Sequence, residues 1–345
     1  MIPLVVFDGA DILGITYSVL GSPGRDNALL VQVDSGQATE KLLFDCGEGC
    51  LAGLSYSDVQ AVDHLFFSHL HMDHVAGFDS YFRCNYNRSV KPNRIWGPPG
   101  TARILQHRFQ GFLWNLHEEM AGRWDVHDIH PDRVQTSTFE LTEAFSREHD
   151  GGTRPYKKVI LEGAGFEIEA VTMDHRTPTI AYILREKTRR NIDTSRLASM
   201  GLRPGPWLKH LKNSPGVTDS IVIDGVTHNL EAIQKALVVE SKGESIAYLT
   251  DFLLDEMAMD QLAESLRGCR TIVCESQYRH ADMALAHRNF HMTNVLTATL
   301  ALRAQAGELV LFHLSDRYET TEWVDMLNEA RLVFPNTRYP KHWNL

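Results

Sequence analysis

The chain has 345 residues, of which 43% are hydrophobic, so it can bury a sizeable core in one large domain or two closely packed ones. Its formal net charge of -10 at pH 7 argues against a general nucleic-acid binder. The lack of a long apolar run argues against a membrane-spanning helix, the acidic start of the chain argues against a signal peptide, and the five cysteines, which lack paired spacing, favour a reducing cytoplasm.

Short apolar runs rich in β-forming residues predict strands along much of the chain. In chain order they are Ile15–Leu20, Leu29–Val33, Lys41–Phe44, His64–Ser68, Val159–Leu161, Phe166–Val171, Ile180–Leu184, Ile246–Leu249, Thr271–Cys274 and Leu309–Phe312. In the second half they alternate with amphipathic patterns that predict helices over Asp255–Leu266, Thr293–Ala306 and Glu319–Leu332. Hairpins followed by β-α-β alternation predict an α/β fold, with two mixed sheets packed face to face and helices outside.

Two segments depart from this pattern and predict insertions into a single domain that spans residues 1–345. Residues 101–154 are rich in histidine, tryptophan and charge, which indicates a helical insertion. Residues 186–221 contain the turn-forming run Arg-Pro-Gly-Pro at 203–206 and most of a basic window. That window, Arg185–Lys212, holds eight basic and two acidic residues, a net charge of +6. It is either a solvated surface insertion or an arm that grips a polyanion.

The strongest local signal is the run Ser-His-Leu-His-Met-Asp-His at residues 68–74, directly after an apolar strand. It offers three imidazoles and one carboxylate, which are good zinc ligands. A loop at a strand end can turn His69 and His71 toward one metal ion, and Asp73 and His74 toward a neighbouring ion. The alternative is a surface histidine cluster, but a strand, this motif and a helix in succession rarely arise by chance.

Three further candidate ligands, His175, Asp251 and His313, each follow a predicted strand. A lone residue of this kind is more often structural, but three of them after the first motif favour a site with two metal ions. A carboxylate has two oxygens, so Asp251 is suited to bridge the two ions. Zinc fits such histidine-rich ligands, and manganese or iron could occupy a site that contains two aspartates.

These motifs resemble those of the metallo-β-lactamase superfamily and, within it, those of the ribonuclease Z family of tRNA 3′-end processing endonucleases. The resemblance covers nearly the whole chain and includes residues 42–49, Leu-Leu-Phe-Asp-Cys-Gly-Glu-Gly, together with the candidate ligands. It extends to residues 94–100, 200–212 and 311–318. The segment 200–212 resembles the Gly-Pro-containing arm with which the family holds the tRNA body, and it lies in the basic window.

The resemblance implies a metallo-β-lactamase αββα sandwich with an inserted arm, which cleaves precursor tRNA with two bound Zn2+ ions. It further implies a homodimer. The arm cations expected to contact RNA are Arg189, Arg190, Lys209 and Lys212. Such a grip reads the shape and backbone of the RNA and is salt-dependent.

The resemblance also implies roles for residues around the metal ions. Asp73 is expected both to bind a metal and to orient the attacking water. His291, supported by Glu275, is expected to donate a proton to the departing oxygen. Outside the ligands themselves, the residues expected to orient them or to contact the phosphate are Asp45, Ser315 and Arg317.

The sequence departs from the family pattern close to these residues. The family's Gly-Asp-Thr is Thr-Asp-Phe at 250–252, its histidine before the glutamate is Cys274, and its serine after the helix-start histidine is Met292. These departures leave the set of candidate metal ligands intact, but they keep two other functions open. One is a hydrolase of small phosphodiesters or sulfate esters with the same fold, and the other is a non-catalytic, metal-stabilised RNA-binding protein.

Overall fold

A computed structural model describes residues 14–36, 38–213 and 220–345. The chain forms two compact units, one made of the residues up to Arg185 together with Glu244–Leu345, and the other made of Glu186–Gly243. None of the helices in these described ranges combines the length and apolar character that crossing a bilayer requires. The strands and helices predicted from apolar periodicity are all present in the structure.

The first sheet has eight strands that follow one another in chain order. The middle of the sheet is parallel and its two ends are antiparallel. Its strands are β1 (Gly14–Gly21), β2 (Asn27–Asp34), β3 (Thr39–Phe44), β4 (His64–Phe66), β5 (Asn93–Gly97), β6 (Arg123–Ile129), β7 (Arg133–Glu140) and β8 (His149–Pro155). The helices of this half are α1 (Tyr56–Gln60), α2 (Met72–Val75), α3 (Phe78–Asn85) and α4 (Thr101–Phe109).

The predicted helical insertion over residues 101–154 is wrong. The α-helix α4 and a short 3-10 helix at Leu141–Glu143 are the helical parts of this segment, and β6, β7 and β8 extend the first sheet instead. The reason lies in the spacing of buried residues: Trp124 and Val126 are buried while Arg123 and Asp125 are not, an alternation with the two-residue period of a strand. Trp124 and His127 therefore lie on a strand and not on a helix.

The chain then starts a second sheet with β9 (Val159–Glu162), β10 (Phe166–Asp174) and β11 (Pro178–Glu186). The inserted unit Glu186–Gly243 follows and runs past residue 221, where the sequence-based boundary was placed. It has its own small apolar core, and residues 214–219 lie outside the described part. Its elements are β12 (Arg189–Ile192), α5 (Thr194–Ser199), α6 (Trp207–Asn213), β13 (Ser220–Ile223), β14 (Val226–Asn229), α7 (Leu230–Leu237) and β15 (Val238–Ser241).

The last part of the chain completes the second sheet by β-α-β alternation. Its elements are β16 (Ser245–Leu249), α8 (Glu256–Ser265), β17 (Thr271–Glu275), α9 (Met283–Asn289), α10 (Asn294–Arg303), β18 (Glu308–Phe312), α11 (Thr320–Val333) and β19 (Thr337–Arg338). The sheet has the order β19-β18-β17-β16-β11-β10-β9, and β16 to β19 are parallel.

The two sheets pack face to face over one buried apolar cluster. Phe44 of the first sheet contacts Tyr182 and Tyr248 of the second, with ring centroids 5.6 and 5.8 Å apart. A separate cluster lies between the first sheet and α1 to α4, while α8, α10 and α11 cover the second sheet. This arrangement forms four layers, helix–sheet–sheet–helix, and brings the carboxyl ends of parallel strands from both sheets to one edge.

Candidate metal centre

Five of the candidate ligands lie where strands end at this edge, and the other two, Asp73 and His74, lie on α2 just after His71. His69 and His71 follow β4, His175 follows β10, Asp251 follows β16 and His313 follows β18. Asp251 and His313 have positive φ angles of 54° and 52°. Residues other than glycine seldom adopt this left-handed conformation, and such positions cluster at functional sites. The backbone therefore bends sharply at both strand ends to turn their side chains into the site.

The structure brings the seven predicted ligands together in two groups. Within each group, one donor atom of every residue lies within 4.8 Å of the others. The groups are His69, His71 and His175, and Asp73, His74, Asp251 and His313. Asp251 Oδ2 lies 3.8 Å from His69 Nε2 and 3.9 Å from His175 Nε2. Asp251 thus stands between the two groups, in the position that a bridging carboxylate requires.

Two orphaned nitrogen atoms test whether these residues fit metal ions. His69 Nε2 and His74 Nε2 are buried without a hydrogen-bond partner. A buried polar atom without a partner is costly, and a metal ion removes that cost. His74 Nε2 lies 3.4 Å from an oxygen of Asp73 and 3.4 Å from one of Asp251. Ligand atoms around a tetrahedral zinc ion are about 3.3 Å apart, so donor types and spacing both fit.

The protonation of these side chains is consistent with a cation site. Burial lowers the pKa of His69 to about 2, which leaves its imidazole neutral and able to bind a metal. Burial also acts to lower the pKa of His74, but the carboxylates of Asp251 and Asp45 outweigh it and raise that pKa well above its ordinary value. A proton and a metal ion compete for the same imidazole nitrogen. The paired carboxylates therefore supply the negative field that holds a cation at this point.

Asp45 holds the ligands from behind. It is fully buried, and its carboxylate accepts hydrogen bonds from His74 Nδ1 (2.7 Å), the Tyr248 hydroxyl (2.9 Å) and the Ser68 hydroxyl (2.7 Å). Ser68 in turn accepts a hydrogen bond from His69 Nδ1 at 3.1 Å. These contacts leave both Nε2 atoms to face Asp251, which is how hydrogen-bond partners orient histidines in metal sites.

Four residues that were not predicted from the sequence orient the ligands together with Asp45. Besides Ser68 and Tyr248, the Asn27 side-chain oxygen accepts a hydrogen bond from the His313 backbone at 3.2 Å. The Gln277 amide lies 3.2 Å from His313 Nδ1. Only Ser68 carried a signal, since it opens the histidine motif, whereas the other three lie far from it in the chain.

His291 and Glu275 form a buried pair beside the two groups. His291 Nδ1 donates to Glu275 Oε2 at 2.9 Å, and the second Glu275 oxygen accepts from the Met292 backbone at 2.7 Å. Burial opposes protonation of His291, but the Glu275 carboxylate outweighs it and raises the pKa of His291 to about 9. His291 is therefore a protonated imidazole at neutral pH. It also lies close enough to His175 and Asp251 to form a third group with them.

Cys274 and Met292, which differ from the family pattern and adjoin this pair in the chain, face the apolar core. Cys274 Sγ lies 3.9 Å from Met292 Sδ, and both side chains are fully buried. They leave the contact between His291 and Glu275 intact.

Arg317 lies near His291 through a shared aromatic neighbour. Its guanidinium is 5.2 Å from the centroid of the Tyr278 ring, and that ring is 5.7 Å from the His291 ring. The Ser315 hydroxyl accepts a hydrogen bond from the Arg317 backbone at 3.3 Å. Arg317 is thus placed at the rim of the site, while Ser315 shapes the turn that carries it.

The four predicted arm cations lie in the inserted unit and are held differently. Arg189 pairs with Glu186, and Arg190 pairs with Glu240 at 3.2 Å and also donates to the Lys212 carbonyl at 2.8 Å. Lys209 is exposed on α6. The whole unit contains nine basic and six acidic residues, a net charge of +3. Its positive charge is therefore smaller than that of the window Arg185–Lys212.

Comparisons with known proteins show similarity to curated ribonucleases Z and to solved structures. The ribonuclease Z of Deinococcus radiodurans is 46% identical over 329 residues, which are 95% of this chain and 98% of that protein. The metallo-β-lactamase fold protein YhfI of Bacillus subtilis is 16% identical and covers 94% of this chain and 95% of its own, with a TM-score of 0.55. The short form of human tRNase Z is 18% identical, covers 88% and 93%, and has a TM-score of 0.50.

A family model described as the anti-Pycsar protein Apyc1 matches residues 22–164. The structural likenesses show the metallo-β-lactamase fold, which confirms the predicted αββα sandwich.

Proposed function

The chain belongs to the ribonuclease Z family, and on that premise we propose that it is a metal-dependent endoribonuclease that processes the 3′ end of precursor tRNA. The observation that carries this proposal is the pair of ligand groups with Asp251 between them. Two divalent ions bound there would supply Lewis acidity that activates water and neutralises charge on a phosphodiester. This chemistry is what hydrolysis of an RNA backbone needs.

Individual side chains would orient the water, donate the proton and bind the phosphate. Asp73 lies 3.4 Å from His74 Nε2 and 3.5 Å from His313 Nε2 through one oxygen, and its side chain is 45% exposed. Its outer face can therefore orient a water molecule in the open part of the site. His291, protonated and held by Glu275, can donate a proton to the departing ribose oxygen. Arg317 at the rim provides a positive charge for the phosphate.

We propose zinc as the resident metal. Five of the seven ligands are histidines, and imidazole nitrogen is a favoured zinc donor. The two aspartates would also accept manganese or iron. Metal analysis of the purified protein by elemental mass spectrometry tests this choice, and a stoichiometric content of iron or manganese without zinc would overturn it.

The proposed setting is the cytoplasm, with the protein as a homodimer. Four of the five cysteines are buried free thiols, which suits a reducing compartment. Phe112, Leu113 and Leu116 are 46%, 87% and 71% exposed and line a cavity of about 550 Å³ next to α3. Exposed apolar side chains in such proximity are typical of an interface and support self-association. Light scattering of the purified protein tests the dimer, and a monomeric mass would contradict it.

The inserted unit is proposed to bind the tRNA body through its basic side chains. The exposed Lys209 on α6 and the proline- and glycine-rich segment before it support this role. RNA helices are recognised mainly through their shape and backbone, for which a small basic unit is suited.

Cleavage of two substrates in parallel tests the proposed function. A precursor tRNA with a 3′ trailer should be cut once, at the junction of tRNA and trailer, and a small bis-aryl phosphodiester should be hydrolysed much more slowly. Turnover of the small ester together with an uncut precursor tRNA would exclude the proposal.

The second candidate is a hydrolase of small phosphodiesters or sulfate esters. The changed residues on either side of Asp251, Thr250 and Phe252, are the observation that favours it. This function would use the same metal centre, so only the substrate comparison separates the two. A non-catalytic RNA-binding protein is disfavoured by the intact ligand set and the intact pair of His291 and Glu275.

A further inference from the structure

Arg176, the residue after the candidate ligand His175, has an unusual backbone conformation and contacts two residues that are distant in the chain. Arg176 directly follows His175, has a positive φ of 58° and is exposed. Its backbone N–H donates to Asp174 Oδ1 at 2.8 Å, which stabilises the turn. A left-handed arginine carries a backbone strain that glycine would avoid, so its side chain must provide something that glycine cannot.

The Arg176 side chain contacts the turn that leads to His291. Its Nη2 donates to the Arg288 carbonyl at 2.7 Å, at the C-terminal end of α9. Its guanidinium lies over the Phe290 ring at 5.0 Å from the centroid. A cation stabilises the carbonyl end of a helix, and a guanidinium over an aromatic ring adds a further attraction. Arg176 therefore holds this turn from its exposed side.

The neighbouring His175 holds the same turn from inside. His175 Nδ1 donates to the Phe290 carbonyl at 2.8 Å, which leaves Nε2 to face Asp251. Phe290 also has a positive φ, 59°, and His291 is the next residue. One short turn thus sets the ring of a candidate metal ligand and the start of the segment that carries the proton donor. Any shift of the turn moves both.

We propose that Arg176 is a positioning residue, whose side chain holds the 288–291 turn in the place where the Phe290 carbonyl orients His175 and His291 meets Glu275. The proposal rests on the proposed metal centre. Arg176 acts through its neighbours and does not contact the reacting phosphate. The competing explanation is that this exposed arginine binds RNA directly, and it predicts a different set of effects.

The experiment compares Arg176→Ala and Arg176→Lys with a matched control, Arg288→Ala. Arg288 contributes only its carbonyl to the contact, so the control removes one positive charge from the same surface and keeps the hydrogen bond. Zinc affinity is measured on metal-stripped protein by competition with a chromophoric chelator. Arg176→Ala should weaken the binding of one of the two ions by roughly 10- to 100-fold, the usual effect of losing a group that orients a ligand. Arg176→Lys should recover part of this loss, and Arg288→Ala should bind both ions like the wild type.

A second readout does not involve metal. Amide hydrogen exchange of metal-stripped protein should become faster over residues 288–292 in Arg176→Ala, but not in Arg288→Ala, with thermal unfolding of both variants recorded as a check on folding. Failure of the wild type to bind zinc, manganese or iron would defeat the proposed function, yet the exchange data would still decide the role of Arg176.

Two outcomes would overturn the proposal. One is normal zinc affinity and normal exchange in Arg176→Ala with only the KM for precursor tRNA raised, which would make Arg176 an RNA contact. The other is equal effects of Arg176→Ala and Arg288→Ala, which would make surface charge the cause.

Discussion

The metal centre and the inserted unit Glu186–Gly243 hold their charged groups in contrasting ways. In the candidate metal centre, Asp45 and Asp251 are almost fully buried, and His74 lies 2.7 Å from an oxygen of Asp45 and 3.4 Å from one of Asp251. In the inserted unit, Arg189 and Arg190 are partly buried and paired with Glu186 and Glu240, and Lys209 faces solvent. Buried charges interact strongly because they are only weakly screened, whereas interactions between exposed charges are weakened by water and salt.

This contrast shows why the two regions differ in how far sequence motifs describe them. Ligand residues at strand ends must meet, because strand packing fixes where they lie. In the inserted unit, local ion pairs decide which basic side chains are available to bind a partner, and a count of lysines and arginines does not show these pairs. We therefore expect single substitutions in the metal centre to abolish function and single substitutions in the inserted unit to have graded, salt-dependent effects.

The largest effect is expected for Asp251→Ala. It removes the one carboxylate that stands between the two ligand groups, so both ions should bind poorly and turnover of either substrate should fall to background. Metal content by elemental analysis and initial rates check this result. Asp316→Ala, an exposed aspartate near His313 in the chain, serves as the control and should retain both ions. Full metal content in Asp251→Ala would end its assignment as the bridge.

His291→Ala should greatly lower the cleavage rate but leave the metal content unchanged. Loss of a positioned acid lowers turnover by about 10²–10⁴, while the seven ligands are left in place. Steady-state rates with precursor tRNA and metal analysis of the same preparation check this separation. Because His291 also lies near His175 and Asp251, loss of an ion from this variant would identify it as a ligand instead of a proton donor.

Asp45→Asn should have an intermediate effect. It keeps the size of the side chain but weakens the hydrogen bond that orients His74, so zinc affinity should fall by about 10- to 100-fold. Tyr248→Phe removes a single hydrogen bond to the same carboxylate and should weaken affinity less. Chelator competition measures both. Equal affinity in Asp45→Asn and the wild type would show that the buried carboxylate does not support the ligands.

The smallest effects are expected in the inserted unit, where two double variants sharpen the comparison. Lys209→Ala with Lys212→Ala should raise the KM for precursor tRNA and reduce the salt slope of RNA binding by about 0.7–0.9 per lost phosphate contact. Arg189→Ala with Arg190→Ala removes the same charge, but both arginines are already paired with carboxylates, so its effect should be smaller. Hydrolysis of the small phosphodiester should be unchanged in both. The reverse order of the two variants would show that pairing does not decide which cations meet RNA.

The parts of the fold that can be predicted from the sequence are those set by patterns among residues that are close together in the chain. The apolar runs that became β1 to β4 and β9 to β11, and the motif at 68–74, follow from periodicity and ligand chemistry alone. Composition alone predicts the wrong structure for residues 101–154, because the alternation of buried residues such as Trp124 and Val126 decides that this region forms strands. The contacts from Asn27 and Gln277 to His313 could not be predicted, because they join residues that only the fold brings together.

The central claim is tested most directly by metal titration of chelator-stripped protein, with cleavage of precursor tRNA followed at each addition. The account predicts two tightly bound ions per chain and cleavage at the 3′ trailer junction that rises to full rate only as the second ion binds. Full cleavage by stripped protein, or saturation of the site by one ion per chain, would contradict a centre built around Asp251 as a bridge.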